Sequence, residues 1–250
     1  CIVPFVGSIF VGKVLAKLKG AKLWAHIQDF EFDAVLESNI IENKKKNSVV
    51  FKFLFWVEKK LLNSTDSIST ISTSMLVKLN EKVDGNIASK LLPNWVDLGF
   101  INPSCYKTHK YLRSSKFKIL YSGNIGEKQD WLFFVKLANE LQKEVNLEIV
   151  LVGNGGKREW VEQELKTMNN VSLHDPVPYE DLSDLLCSAD LHILFQKNNV
   201  IDTVMPSKIL AMMASQKPSL ITGNLKSEVA SILKESNGGA YFDADDFTGA

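Results

Sequence analysis

Short apolar runs alternate along this chain with longer segments whose apolar residues recur every three or four positions. The short runs predict strands, and the amphipathic segments predict helices. In the second half of the chain, strands are predicted at residues 117–122, 147–152, 171–173, 191–195, 218–222 and 239–242. Helices are predicted between and after them, at residues 131–143, 157–166, 179–187, 206–215 and 227–234. Such regular alternation favours an α/β domain with a parallel sheet.

The first half of the chain repeats this alternation in a shorter form. Strands are predicted at residues 22–28, 66–72 and 90–92, and helices at residues 8–19, 49–62 and 74–82. A polar, irregular stretch then separates the two halves, as an interdomain linker would. We therefore predict a partial α/β domain at residues 1–98, a linker at residues 99–116 and a second α/β domain at residues 117–250.

Composition adds few constraints to this pattern. The chain has 250 residues, of which 45% are hydrophobic and 23% charged, and its formal net charge is zero. This is an ordinary globular composition, and zero net charge gives no support for a nucleic-acid partner. The three cysteines show no metal-binding or disulfide spacing, which suits a reducing cytosol. No apolar run approaches the roughly 20 residues that a membrane span needs.

The helix predicted at residues 206–215 carries candidate chemistry. Pro206 suits the first helical position, because that position has no use for a backbone N–H donor. Ser207 and Lys208 then fall in the first turn, where free amides and a positive dipole favour a bound anion. The alternative interpretation is an ordinary crossover helix with a surface lysine.

Glycines follow two of the predicted strands. Gly123 comes directly after the strand at residues 117–122, and Gly153 comes directly after the strand at residues 147–152. Glycine lets the backbone approach a ligand closely. The loop at residues 123–126 lacks the full Gly-x-Gly-x-x-Gly fingerprint, so a bound NAD is not indicated.

Four segments, in this order, resemble family 4 glycosyltransferases of the exopolysaccharide and colanic-acid type. They are Pro-Asn-Trp-Val-Asp at residues 93–97, Tyr-Ser-Gly-Asn-Ile-Gly-Glu-Lys-Gln at 121–129, Val-Gly-Asn-Gly-Gly at 152–156, and the Pro-Ser-Lys-Ile-Leu helix from residue 206. The resemblance implies the GT-B fold, in which two Rossmann-like domains face each other across a cleft. It also implies further strands before Cys1 and a helix after Ala250, so that the chain would be a fragment.

The resemblance implies a site for a nucleotide-diphosphate sugar. The protein must then stabilise the negative charge of the departing diphosphate. The amides of Gly123 and Asn124, together with Lys128 and Lys208, would surround that charge. By the same resemblance, His26 at the end of its strand would face the donor sugar. The full set of expected donor-binding residues is Gly123, Asn124, Gly153, Val177, Asp202, Thr203 and Ser207, with His26, Lys128 and Lys208 in catalytic roles.

The sequence departs from the family pattern at several of these positions. Many members carry two glutamates eight positions apart on the donor helix, and the corresponding residues here are Thr203 and Ala211. Asp202 could replace the first glutamate, and nothing obvious replaces the second. Asn124 stands near the usual position of an arginine. These departures keep open a second hypothesis, a degenerate, non-catalytic module that binds a nucleotide or a partner.

A third hypothesis, a nucleotide-sugar epimerase, rests on the bare Tyr-x-x-x-Lys spacing of Tyr106 and Lys110. That pair lies in the linker-like stretch, with no cofactor loop before it. We therefore discount it and predict a sugar transferase. The resemblance to family 4 implies that it acts with retention of anomeric configuration. No cofactor is expected, since the nucleotide sugar is a substrate, and no metal is expected, since basic groups would supply the positive charge.

The expected acceptor is a saccharide, carried on a lipid. Lysines at residues 44–46 precede an aromatic helix at residues 49–62, and basic residues beside aromatic ones suit an anionic membrane surface. The alternative, which we favour for this helix, is packing on the N-terminal sheet with its lysines in water. We expect a cytoplasmic protein that makes peripheral contact with the inner face of the cell membrane.

Overall fold

The computed structural model describes residues 1–3, 5–30, 32–33, 49–199 and 208–247. Residues 1–94 form one compact unit, and residues 95–198 form a second one together with the described residues from 208 onward. Each unit contains its own parallel sheet. The prediction of an α/β fold with two separate parallel sheets is confirmed.

The described part of the first unit contains a four-stranded parallel sheet with strand order β1-β2-β3-β4. Its strands are β1 (Ile2–Val3), β2 (Trp24–Ile27), β3 (Ser67–Thr70) and β4 (Ala88–Leu91). Its helices are α1 (Gly7–Lys19), α2 (Val49–Leu62) and α3 (Thr73–Lys82). Ser72 caps α3 by accepting a hydrogen bond from the amide of Met75 at 3.2 Å, which satisfies one of the free donors of the first turn.

The second unit contains a six-stranded parallel sheet. Its strands are β5 (Phe117–Ser122), β6 (Leu147–Val152), β7 (Val171–His174), β8 (Leu191–Phe195), β9 (Ser219–Gly223) and β10 (Gly239–Asp243). Its helices are α4 (Trp131–Glu140), α5 (Arg158–Leu165), α6 (Leu182–Cys187), α7 (Lys208–Ala214) and α8 (Glu228–Ser236). The predicted helices at 131–143 and 179–187 each contain a 3₁₀ turn, at Leu141–Lys143 and Tyr179–Asp181.

The strand order of this sheet is β10-β9-β8-β5-β6-β7. From β5 the chain proceeds to β6 and β7 on one side, and β8 then returns to the other side of β5. The boundary between β5 and β8 is therefore a topological switch point, where loops at the carboxyl ends of the strands diverge. Open α/β sheets bind their ligands in the crevice at such a point.

Both faces of the six-stranded sheet are covered. On one face Leu120, Val150 and Leu185 belong to a buried cluster that also includes Ile101 and Leu112. The stretch predicted as a linker is thus irregular in conformation, but part of it packs into the core of the second unit. On the other face an aromatic cluster surrounds β5 and β8, and its members are Tyr121, Trp131, Phe134 and Phe195.

Candidate functional site

The most distinctive polar contact of the second unit lies at the switch point between β5 and β8. Lys208 begins the described part of α7, which follows β8, and its ammonium reaches the loop after β5. Its Nζ donates to the hydroxyl of Tyr121 at 3.1 Å and lies 4.5 Å from the centre of the tyrosine ring. The hydroxyl of Tyr121 in turn donates to the carbonyl of Asn124 at 2.6 Å. Sequence reasoning singled out Lys208, and the structure brings it to the Gly123 loop.

Glycine at position 123 makes room for this lysine. A Cβ atom at that position would lie 2.6 Å from the Nζ of Lys208, and the backbone φ of +150° is one that other residues rarely adopt. The ammonium therefore occupies the space directly over the glycine. A ligand phosphate that reached this loop would meet a cation there.

Burial changes the acid–base properties of both partners. It lowers the pKa of Lys208 from 10.5 to about 8, because the charged form loses its hydration. Burial also raises the pKa of Tyr121, whose side chain is 0% exposed, so the phenol stays protonated. A cation with a pKa so close to neutrality is typical of functional sites rather than of solvated helix surfaces.

The structure corrects one expectation about the loop. The amide of Gly123 was predicted to face the ligand, but it donates to the carbonyl of Val152 at 2.9 Å. That bond joins the ends of β5 and β6 and leaves this amide occupied. Gly123 therefore contributes space, while Asn124 is exposed and uses its carbonyl to hold Tyr121.

Gly153 lies where the loops after β5 and β6 touch. A Cβ atom at Gly153 would collide with the carbonyl oxygen of Gly123, and one at Gly155 would collide with the carbonyl oxygen of Ile125. Ile125 also donates its amide to the carbonyl of Asn154 at 2.8 Å. The glycines in the second loop thus permit close packing of one loop on the other.

Arg158, at the start of α5, was not predicted to have a role. Its guanidinium donates to the carbonyls of Gly153 and His174, the latter at 3.2 Å, and pairs with the carboxylate of Asp175 at 2.9 Å. It therefore ties the ends of β6 and β7 together. Val177, two residues after Asp175, is half-buried and packs against the core cluster of the second unit. An arginine a few residues after a glycine-rich loop, with an acidic residue after the next strand, was the available sequence signal.

Lys128 is exposed on the loop that precedes α4, and its backbone carbonyl accepts from the amide of Lys197 at 3.2 Å. Its neighbour Glu127 forms ion pairs with Lys157 at 2.9 Å and Lys197 at 3.7 Å. The hydrogen bond from Lys157 lowers the pKa of Glu127. The rim beside the candidate site therefore contains three lysines, one of which was predicted.

His26 lies in the first unit, at the third position of β2. Its Nδ1 is 2.8 Å from the hydroxyl of Ser69, and its Nε2 is buried without a partner among the described residues. Burial lowers the pKa of His26 and so favours the neutral imidazole.

Three predicted residues, Asp202, Thr203 and Ser207, lie outside the described residues, as do Pro206 and the lysines at 44–46. Among the residues that the structure does describe, no group of three or more His, Cys, Asp or Glu side chains could hold a metal ion. In the same part of the chain, no helix is long and apolar enough to cross a membrane.

Two units, each with its own parallel sheet and one of them with a topological switch point, give this chain the GT-B type of fold. The fold of this chain is similar to that of HepE from Anabaena, solved with UDP and glucose, at a TM-score of 0.70 and 14% identity over 98% of this chain and 64% of HepE. It is also similar to WaaG, a glycosyltransferase involved in lipopolysaccharide biosynthesis, at a TM-score of 0.64 and 12% identity over 93% of this chain and 67% of WaaG.

Sequence comparison identifies the family. Residues 116–250 match the model described as "Glycosyl transferases group 1". The chain belongs to this family. It is also 32% identical, over 246 residues, to the colanic acid biosynthesis glycosyl transferase WcaI of Escherichia coli (strain K12). That alignment covers 93% of this chain and 60% of WcaI, so the chain spans about three fifths of the length of this relative.

Proposed function

We propose that the full-length protein moves a sugar from a nucleotide-diphosphate donor to a saccharide acceptor during synthesis of a cell-surface polysaccharide. The observation that carries this proposal is the ammonium of Lys208 held over Gly123 at the switch point of the second sheet. Family membership and the similarity to WcaI support the reaction class and the polysaccharide context. UDP is the first nucleotide to test, since HepE was solved with it.

The chemistry follows from the charge that develops at the leaving group. When the bond between the sugar and the diphosphate breaks, negative charge accumulates on the phosphate oxygens. A cation placed there beforehand stabilises that charge without further reorganisation. Lys208, held against the Gly123 loop, and exposed Lys128, on the rim of the site, would both stabilise that charge. Retention of anomeric configuration is part of the proposal and rests on the family resemblance.

Binding and turnover of nucleotide sugars test the proposal. Thermal shift of the full-length protein with UDP-, GDP- and ADP-sugars should reveal the donor, because a ligand of the native state raises the melting temperature. Release of nucleoside diphosphate with an acceptor present then tests transfer, and NMR of the product reports its anomeric configuration. Donor binding without any release would instead support the non-catalytic binding module. If neither donor binding nor release occurs, the proposal is wrong.

Lys208→Ala should weaken donor binding about ten- to a hundredfold, because hydrogen bonds to charged groups contribute about 1.5–3 kcal/mol each. The melting temperature without ligand should not fall. Unchanged affinity would show that Lys208 does not contact the donor. The diphosphate would then have to bind at the loop of residues 123–128 without it.

We also propose that the acceptor is lipid-linked and that α2 contacts an anionic membrane surface. One side of α2 exposes Val49, Phe53 and Trp56, and the rings of Phe53 and Trp56 stack with centroids 5.9 Å apart. The other side buries Glu58 and Leu62, so the helix packs on its own unit while it presents aromatic residues outward. Exposed Lys52 and Lys60 add positive charge, whereas Lys59 is paired with Asp84 at 3.1 Å. This combination is typical of interfacial helices.

Flotation with anionic liposomes tests this contact. Replacing Phe53 and Trp56 by serine should reduce flotation at low salt. Leu132→Ser removes an even more exposed apolar residue from the second unit and should have no effect. A wild-type protein that does not float would contradict the membrane contact, and a product that partitions only into water would contradict the lipid-linked acceptor.

A further inference from the structure

The hydroxyl of Tyr121 has its hydrogen-bond roles set by its partners. The carbonyl of Asn124 can only accept, so the phenol proton points to it, at an O–O distance of 2.6 Å. The ammonium of Lys208 can only donate, so it uses a lone pair of the same hydroxyl, at 3.1 Å. The hydroxyl of Tyr121 thus links the backbone of the Gly123 loop to the side chain of the lysine through two hydrogen bonds.

The ring of Tyr121 is itself immobilised. It is fully buried, with its centroid 5.3 Å from that of Trp131 and 5.1 Å from that of Phe195. A lysine side chain otherwise loses rotamer entropy when it is fixed in one position. The hydroxyl, together with the ring face 4.5 Å from Nζ, restricts that freedom before any ligand arrives.

We propose that Tyr121 is a positioning residue of the donor site: anchored on the carbonyl of Asn124, its hydroxyl holds the ammonium of Lys208 over Gly123, ready for the donor phosphates. This inference rests on the function proposed above. Among the described residues, Tyr121 is the hydrogen-bond acceptor of that ammonium, which leaves two of its N–H donors without a partner in that part of the chain. The entropy cost of ordering the lysine would then not reduce the free energy of donor binding.

The same contact tunes the charge of the lysine. Burial brings the pKa of Lys208 down to about 8, while the phenol of Tyr121, the titratable group in contact with it, stays protonated. The hydroxyl of Tyr121 can accept a hydrogen bond from either form of the lysine amine. The bond to the charged ammonium is stronger than the bond to the neutral amine, so it stabilises the charged form. Removing the hydroxyl should therefore lower the pKa of Lys208 further and reduce the charged fraction near pH 8.

Tyr121→Phe tests the positioning role because it keeps the aromatic ring and removes the hydroxyl that links Asn124 to Lys208. Affinity for UDP and GDP, measured by calorimetry on the full-length protein from pH 6.5 to 9, should fall about three- to tenfold at pH 8. The fall should be smaller at pH 6.5, and the midpoint at which binding weakens should move to lower pH. A purely structural role would lower affinity equally at every pH.

Tyr241→Phe is the matched control. Its hydroxyl also donates to a backbone carbonyl, that of Asn224 at 3.0 Å, and also meets a side-chain partner, Ser227 at 2.9 Å. This variant should keep wild-type nucleotide affinity and an unchanged pH profile. Wild-type behaviour of Tyr121→Phe, or a weaker affinity with an unshifted midpoint, would overturn the proposal.

A measurement without nucleotide separates this inference from the proposed function. The pH dependence of reductive methylation at Lys208, read by peptide mass spectrometry, reports the pKa of the lysine directly. A lower midpoint in Tyr121→Phe than in the wild type supports positioning even if no donor binds, in which case only the proposed function fails. Equal midpoints in the two proteins would overturn the positioning role.

Discussion

The ammonium nitrogen of Lys208 lies 2.6 Å from the place that a Cβ atom would take at Gly123. Two segments far apart in sequence therefore share one small volume at the switch point of the second sheet. A side chain at position 123 and this position of the lysine exclude each other.

Gly123→Ala should accordingly displace Lys208 and strain the loop, whose φ is +150° at this residue. We expect a loss of about 1–3 kcal/mol in unfolding free energy and weaker nucleotide binding. Gly156→Ala is the control, since a Cβ atom there meets nothing within 4 Å. The control should stay within about 0.5 kcal/mol of the wild type in urea unfolding. Equal stabilities of the two variants would contradict the packing described here.

Lys208→Met should make the protein more stable at neutral pH. The folded-state pKa of Lys208 is about 8, against 10.5 for a lysine in the unfolded chain. Below pH 8 both states hold the proton, and the buried charge costs up to about 3 kcal/mol. Between pH 8 and 10.5 the folded state releases its proton first, so this cost disappears. The stability gap between Lys208→Met and the wild type, measured by urea unfolding, should therefore shrink over that range; a gap that is independent of pH would argue against a buried charged lysine.

Arg158→Ala should loosen the ends of β6 and β7. Its guanidinium donates to the carbonyls of Gly153 and His174, and the latter also accepts from the amide of Gly153 at 3.1 Å. Loss of these bonds and of the ion pair should cost about 1–3 kcal/mol. Asp175→Asn removes only the ion pair, whose carboxylate side is 79% exposed, and should cost about 0–1 kcal/mol. Arg158→Lys should not restore stability, since an ammonium lacks the planar fork that places Nη1 on the two carbonyls and Nη2 on Asp175. Chemical unfolding of the three variants decides, and equal costs for Arg158→Ala and Asp175→Asn would place the effect in the ion pair instead.

His192 should make the protein sensitive to acid. It is buried, its Nε2 lies 2.9 Å from the hydroxyl of Ser215, and burial, followed by the nearby Lys217, lowers its pKa to about 4. The unfolded chain takes up a proton near pH 6.5, so the stability linked to neutral His192 is present above that pH. It is lost as the pH falls toward 4, up to about 3 kcal/mol.

His192→Gln should flatten the decline of stability between pH 7 and 4.5, measured by urea unfolding. The decline should not vanish, because burial also lowers the pKa of the other three histidines. An unchanged slope would contradict this role of His192.

The pattern of apolar residues was sufficient to predict most elements of the second unit. The strands at 117–122, 147–152 and 191–195 have the predicted bounds, because strands buried on both faces of a parallel sheet appear as continuous apolar runs. The helix at 49–62 was also predicted with its bounds, from its length and its periodicity. Element ends were less accurate where 3₁₀ turns replaced α-helix, as at Leu141–Lys143.

The sequence by itself thus determined the alternation of strands and helices. It also placed glycines after two strands and Lys208 in the helix that follows β8. Strands and helices could be predicted because they depend on local backbone preference and on the short-range period of burial. Only the tertiary structure decided that Tyr121 anchors Lys208, that the amide of Gly123 is occupied by Val152, and that Arg158 ties two strand ends together. Those contacts join residues that are distant along the chain, such as positions 121 and 208, and no local pattern carries that information. Strand order, with β8 returning beside β5, creates them.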